Sequence, residues 1–135
     1  MQDCPHPPNA SRRERGAAAE ALAAEYLERH GLVVIARNLR CKGGELDLIC
    51  LDGEVLVIVE VRVRRNSDFG GAADSVTPHK QRKLIRAAQY HWQRRPDWQA
   101  RIVRFDVIAV DGGSGDSGGD SGGIAWIKDA FYLTT

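Results

Sequence analysis

At 135 residues, with 43% hydrophobic and 27% charged residues, the chain is long enough for one compact domain with its own core and too short for two ordinary ones. That balance excludes a disordered chain and a membrane-embedded one. The net charge of +1 hides a split: residues 1–110 carry 18 Lys and Arg against 14 Asp and Glu, a mild excess that permits phosphate contacts but falls far below that of a dedicated nucleic-acid coat protein.

Residues 1–10, rich in Pro and polar side chains, read as a flexible N-terminal arm, and residues 11–135 as a single domain. The arm has no apolar run of the signal-peptide kind, and no stretch approaches the roughly 20 apolar residues that span a bilayer. A cytoplasmic location and no membrane partner are expected. Cys4, Cys41 and Cys50 form no CxxC pair, so free thiols in a reducing compartment are expected rather than a disulfide framework. Cys50 falls on an alternating apolar stretch and reads as a small buried hydrophobe.

A helix is predicted from Ser11, where SRRE has the form of a capping box between Ser11 and Glu14, to about His30, with Gly31 as its stop. Leu32–Ala36 is apolar and β-branched and predicts a strand. GELDLICL then alternates, Asp52-Gly53 carries a type I′ turn signal, and EVLVIVEVRVRR follows as a long strand, so a β-hairpin is expected. Residues 66–76 read as a loop. Thr77-Pro78 marks an N-cap and first position of a second helix. It runs to about Arg95, with Leu84, Ala87, Ala88 and His91 or Trp92 on one face, and ends before Pro96.

Ile102–Val110 predicts a further strand. Residues 111–123, DGGSGDSGGDSGG, have the composition of a flexible loop. Their GDSGG strings match a serine-protease motif in letters only, because a nucleophile needs a rigid strand-to-turn setting with a positioned His-Asp pair. IAWIKDAFYL closes the chain as a short strand or helix. The order helix, three strands, helix, strand predicts an α/β fold with a mixed central sheet flanked by helices.

With Asp52-Gly53 as the two-residue turn, Leu51 would pair with Glu54, Ile49 with Leu56, Asp47 with Ile58 and Glu45 with Glu60. One face then carries Glu45, Asp47, Ile49 and Leu51 beside Leu56, Ile58, Glu60, Arg62 and Arg64, and the other carries Val55, Val57, Val59, Val61 and Val63 as a core stripe. Asp47 and Glu60 become diagonal neighbours at roughly 7–8 Å. Two readings fit this face. Glu45 and Glu60 could form cross-strand ion pairs with Arg62 and Arg64. Alternatively, the carboxylates offer hard oxygen ligands to Mg²⁺, which keeps waters and bridges to phosphate. Glu20 has only small neighbours, Gly16, Ala17, Ala23 and Ala24, at helical spacing. It suits either close packing against the sheet or a helix-edge acid facing water.

Gly16-x-x-x-Glu20, Tyr26-Leu27, Arg37-Asn38, GGELDLI (43–49), VEVRVR (59–64), GGAADSVTPHKQRKLIRAA (70–88) and RFDVIAV (104–110) together resemble the bacterial YraN family over about residues 11–131. That family is similar to the PD-(D/E)XK nucleases of the restriction-endonuclease-like superfamily, particularly junction resolvases and restriction enzymes. The resemblance implies a metal-dependent DNA endonuclease for structured, branched or end-containing DNA, with Mg²⁺ or Mn²⁺ as cofactor. It implies Asp47 and Glu60 as metal ligands, Glu20 as a helical acid assisting them, Arg62 at the basic position of the motif and Gln81 as a residue orienting the site. Gln81 equally suits a solvent-facing helix position. Junction-cutting relatives act as symmetric dimers, which implies a homodimer.

Arg62 departs from the nuclease pattern, which has Lys there. Lys can give up a proton when buried, whereas Arg stays protonated and only orients groups or stabilises negative charge. A non-catalytic nucleic-acid-binding or recombination accessory protein with the same fold is the alternative expectation. Arg37, Arg40, Lys42, Arg64, Arg65, Lys80 and Lys83 are the candidate phosphate contacts around the acids, with no base-reading element among them. Trp92, Trp98 and Trp126 would be the contacts of a protein-interaction domain, or else packing residues.

Overall fold

The computed structural model describes residues 12–64, 76–111 and 123–131. Its elements are α1 (Arg12–Arg29), β1 (Val33–Cys41), β2 (Gly44–Asp52), β3 (Val55–Arg64), α2 (Pro78–Gln93), α3 (Pro96–Gln99), β4 (Val103–Asp111) and β5 (Ile124–Phe131). The arm, the Ser11–Glu14 cap and residues 112–122 lie outside the described residues.

Five strands form one sheet in the order β1-β2-β3-β4-β5. The β3–β4 pair is parallel and the other pairs are antiparallel. This is the mixed sheet expected, because α2 and α3 carry the chain back over the sheet between β3 and β4 whereas the other neighbours join directly. The closing segment resolves as a strand.

Alternation along each strand divides the core into two layers. Ala19, Ala23, Ala24 and Leu27 of α1 are buried against Leu48, Cys50, Val57, Val59, Ile108 and Val110. On the other face Leu84, Ala87 and Ala88 of α2, with Trp98 of α3, bury against Ile49, Leu56, Ile58, Phe105 and Val107. Alanines on α1 let its backbone approach the valine stripe of β3, and each fully buried Leu or Ile of these layers contributes about 2 kcal/mol.

α1 stops where Gly31 takes φ +95°, the left-handed conformation that glycine adopts without steric cost. α2 starts as expected: Thr77 is extended, its hydroxyl accepts the Lys80 N–H at 3.2 Å, and Pro78 follows. Of the two positions proposed for its inner face, His91 is buried and Trp92 is exposed. Arg95 donates to His91 Nδ1 at 3.0 Å, and burial lowers the His91 pKa, favouring neutral imidazole. α3, initiated by Pro96, was not expected from the sequence; it exists to seat Trp98, which is 2% exposed.

The hairpin register differs from the expected one by two residues. Leu51 pairs with Leu56, Asp52 with Val55 and Ile49 with Ile58, so Gly53-Glu54 forms the loop rather than Asp52-Gly53. Of these two only Gly53 has positive φ, at +63°, the sign pattern of a type II′ turn and not of I′. A two-residue slip preserves the faces, which is why Val57 and Val59 of the valine stripe are buried and Val55 is half-buried. Val63, beyond the cover of α1, is exposed.

One buried ion pair ties the far side of the sheet. Asp106, fully buried, receives Arg104 Nε at 2.9 Å and Nη2 at 3.0 Å, Trp126 Nε1 at 3.0 Å and the Asp129 N–H at 2.9 Å. Arg104 also reaches Asp52 at 3.2 Å. A buried carboxylate is tolerable here because its oxygens accept four hydrogen bonds, two of them from a cation.

Candidate functional site

β2 and β3 pair from Asp52↔Val55 to Leu48↔Val59. Continuing that register would set Asp47 opposite Glu60, directly rather than diagonally as expected. The ladder stops before this pair, and the Asp47 carboxylate takes over: Val61 N–H donates to Asp47 Oδ2 at 2.9 Å. The β1–β2 ladder is interrupted at the same level, between Arg37↔Leu48 and Leu39↔Leu46. Asn38, in that gap, has φ +51°, a left-handed conformation in which Asn is enriched among non-glycine residues.

The interruption changes which way β2 faces. Leu48 and Cys50 pack toward α1, as alternation requires, yet Leu46 packs toward α2. In a regular strand Leu46 and Leu48 would share a face. The break therefore lets Asp47 aim between the strands toward Glu60.

Asp47, Glu60, Glu45 and Gly44 line a cavity of about 280 Å³, closed on the other side by His79, Lys80, Lys83 and Leu84 of α2. Acids from the sheet thus face bases from the first two turns of a helix. Burial, then the neighbouring Glu60 charge, push the Asp47 pKa up to about 8, against the lowering effect of the Val61 N–H; Glu20 adds to the rise. Burial also raises Glu60, offset by the charges of Arg62 and Lys80 and by the Asp47 carboxyl as hydrogen-bond partner. In the absence of a cation, one proton held on Asp47 and donated to Glu60 is the arrangement this geometry favours.

Glu20 reaches the site through Asn38, whose Nδ2 donates to Glu20 Oε1 at 2.9 Å and to Glu45 Oε2 at 3.2 Å. Arg62 Nη1 lies 3.5 Å from Glu60 Oε2, and its Nε is buried with no partner among the described residues. Arg62 is not among the residues lining the cavity. The Gln81 side chain donates to the Val76 carbonyl at 3.0 Å and pins the segment leading into α2; it does not line the cavity either.

The candidate phosphate contacts divide. Lys80 and Lys83 line the cavity. Arg37 and Lys42 are exposed on β1 and the turn after it, and Arg40 lies 3.7 Å from Glu45. Arg64 ends β3, with its side chain outside the described residues, as is all of Arg65. Sequence reasoning left Asn38 and His79 without a site role and gave Glu45 one only as a cross-strand ion-pair partner of Arg62 and Arg64, whereas its cation neighbour is Arg40. Only the pairing of the strands and the docking of α2 bring them to the acids, although an Asn at a strand interruption and a His beside two lysines at a helix start are the local signals.

Among the described residues, no three His, Cys, Asp or Glu side chains group closely enough to hold a metal ion by themselves. No described helix is long and apolar enough to cross a membrane. The Cys50 thiol is buried, and burial pushes its pKa up to about 12, so it packs as an apolar group. Trp98 is core and Trp126 is half-buried on Asp106, which leaves Trp92 as the exposed member of the three.

Residues 19–110 match the family described as "Uncharacterised protein family UPF0102". A UPF0102 protein of Pseudomonas savastanoi pv. phaseolicola (strain 1448A / Race 6) is 48% identical over 124 residues, covering 92% of this chain and 98% of that protein. One from Pseudomonas putida (strain GB-1) is 48% identical with the same coverage. A third, from Nitrosococcus oceani, is 46% identical over 92% of this chain and 96% of its own length.

Proposed function

The chain belongs to the UPF0102 (YraN) family, and we propose from its site that it is a divalent-cation-dependent DNA endonuclease of the restriction-endonuclease-like, PD-(D/E)XK type. The reading rests above all on Asp47 and Glu60, held toward each other in a cavity whose opposite wall is His79, Lys80 and Lys83. Acids to hold a cation and bases to hold a phosphate, on facing walls, are what phosphodiester hydrolysis needs.

The donor set fits Mg²⁺ or Mn²⁺. Two half-buried carboxylates, of which burial and then the Glu60 charge raise Asp47 to about 8, are stabilised by a hard cation, and such ions take few protein oxygens while keeping waters and substrate phosphate as further ligands. Asp47 and Glu60 would hold the ion, with Glu20 assisting. When bound, it supplies charge stabilisation at the phosphate and favours formation of a nucleophile from water.

The chain's own groups do the rest. Lys80 and Lys83 contact the phosphate oxygens from α2, and the helix screens the site from bulk water. Arg62 sits behind the cavity wall and offsets the Glu60 charge at 3.5 Å. Arg37, Arg40 and Lys42 follow the nucleic-acid backbone around the site, so recognition is by DNA shape rather than base sequence. A homodimer that presents two such sites to a branched substrate belongs to the same reading.

Incubating the purified protein with labelled branched, single-stranded and duplex DNA in Mg²⁺ or Mn²⁺ tests this directly, with Asp47→Ala alongside. Metal-dependent cutting by the wild type and none by the variant is expected. A second reading, favoured by Arg62 in the usual lysine position, is a nucleic-acid-binding or recombination accessory protein. It gives salt-sensitive binding without cutting in the same experiment.

A further inference from the structure

Among the described residues, Asn38 hydrogen-bonds to acids on two elements of the site: Glu20 of α1 and Glu45 of β2. Both contacts come from the same atom, Nδ2, which carries two hydrogens. The amide orientation follows from chemistry, since its oxygen could not face two carboxylates. Glu20 and Glu45 bring like charges to one donor; Glu45 is also 3.7 Å from Arg40 Nε, and for Glu20 the Asn38 amide is the contact that ties it to the site. Glu45 also lines the cavity with Asp47 and Glu60.

The backbone of Asn38 is as particular as its side chain. Its φ of +51° lies where the β1–β2 ladder passes from Arg37↔Leu48 to Leu39↔Leu46 without an Asn38–Asp47 pair, one residue beyond the end of the β2–β3 ladder. One residue therefore accommodates the break that aims Asp47 and bridges the acids around it. No packing requirement explains the choice of residue, because Asn38 is exposed.

We infer that Asn38 is a positioning residue for the acid cluster, acting through Glu20 and Glu45 to set the affinity of the Asp47–Glu60 pair for a divalent cation. Outer residues that orient ligands change metal affinity by about tenfold or more when removed. The electrostatic coupling already present between Glu20 and Asp47 agrees with this. The inference rests on the cation-binding reading of the site.

Asn38→Gly is the discriminating variant, because glycine takes positive φ freely and removes only the amide. Mn²⁺ affinity is measured by calorimetry on the full chain for wild type, Asn38→Gly, Glu20→Gln and the double variant, with thermal midpoints recorded for each. Asn38→Gly is expected to weaken Mn²⁺ by about tenfold, with the midpoint changed by only a few degrees. The double variant is expected to match the weaker single one within about twofold, because both remove the same orienting contact.

Unchanged Mn²⁺ affinity in Asn38→Gly overturns the inference while leaving the proposed function intact. Losses that multiply in the double variant overturn the action through Glu20. Absence of Mn²⁺ binding by the wild type defeats the proposed function and this inference together. A second measurement uses folded variants that leave Asn38 in place: its side-chain N–H₂ resonances should shift in Glu20→Ala and in Glu45→Ala. Resonances that move in neither variant overturn the bridge itself.

Discussion

The Asp47 carboxylate accepts the Val61 backbone N–H at 2.9 Å, just beyond the last paired residues of β2 and β3. A side chain has replaced a strand carbonyl as the acceptor. The same group therefore holds the sheet together at its opening and points its charge at Glu60, so stability and cation binding pull in opposite directions at one residue.

Asp47→Asn should separate them. The amide oxygen can still accept the Val61 N–H, but the repulsion with Glu60 disappears. At pH 8 without metal, the thermal midpoint is expected to rise by about 3–6 °C, the equivalent of roughly 1 kcal/mol in a domain of this size. Calorimetry should show Mn²⁺ binding lost. A lower midpoint would mean that the ionised carboxylate is a net stabiliser.

The raised Asp47 pKa also fixes a pH dependence. An acid that binds its proton more tightly when folded, at about 8 against an ordinary 3.8, makes the folded state favour low pH. Its contribution is full below the unfolded value and is lost as pH rises through the folded one. Apo stability, followed by urea denaturation, is expected to fall between about pH 4 and 8 by up to about 1.4 kcal/mol per unit. Saturating Mn²⁺ should flatten that slope by displacing the proton. A stability that rises steadily over this window in the Asp47-containing chain but not in Asp47→Asn would contradict the assignment.

Arg62 offers a test of catalytic chemistry. Its guanidinium cannot give up a proton, whereas an ammonium in the same half-buried place can. Arg62→Lys is expected to raise the Mg²⁺-dependent cleavage rate by about tenfold or more, and Arg62→Ala to lower it. Equal rates for arginine and lysine would show that only the positive charge matters at this position.

Asp106 carries the largest predicted structural cost. Asp106→Ala removes the acceptor of Trp126 Nε1 and of the Asp129 N–H and leaves Arg104 with Asp52 as its remaining carboxylate partner. Removing one partner of a buried pair costs about 3–5 kcal/mol, measurable as a large drop in the urea midpoint. A change below about 1 kcal/mol would mean that water satisfies these donors readily.

Cys50 should be inert. A fully buried thiol with its pKa pushed up to about 12 presents almost no thiolate at pH 8. Iodoacetamide treatment of the native protein followed by peptide mass mapping is expected to leave Cys50 unmodified while half-exposed Cys41 reacts. Modification of Cys50 at the rate of Cys41 would show that the sheet opens at this strand.

The sequence by itself determined the elements and the faces. Period-two alternation in β3 and the spacing of Leu84, Ala87 and Ala88 are local patterns that burial follows, whereas in β2 the alternation holds from Leu48 to Cys50 and fails at Leu46. The valine stripe remained a core stripe through a two-residue error in register because a slip of two leaves every side chain on its own face. Asp47 and Glu60 stood out as acids on a part-apolar face and Glu20 as an acid among small residues, but their site roles came from the family resemblance. Tertiary structure decided what those acids meet. The turn at Gly53-Glu54 sets Asp47 level with Glu60, the left-handed Asn38 breaks the ladder that would have held Asp47 in line, and docking of α2 brings His79, Lys80 and Lys83 across the cavity. Each of these joins residues on different elements. Their energies come from Coulomb interaction and burial over distances in space, which spacing along the chain does not encode.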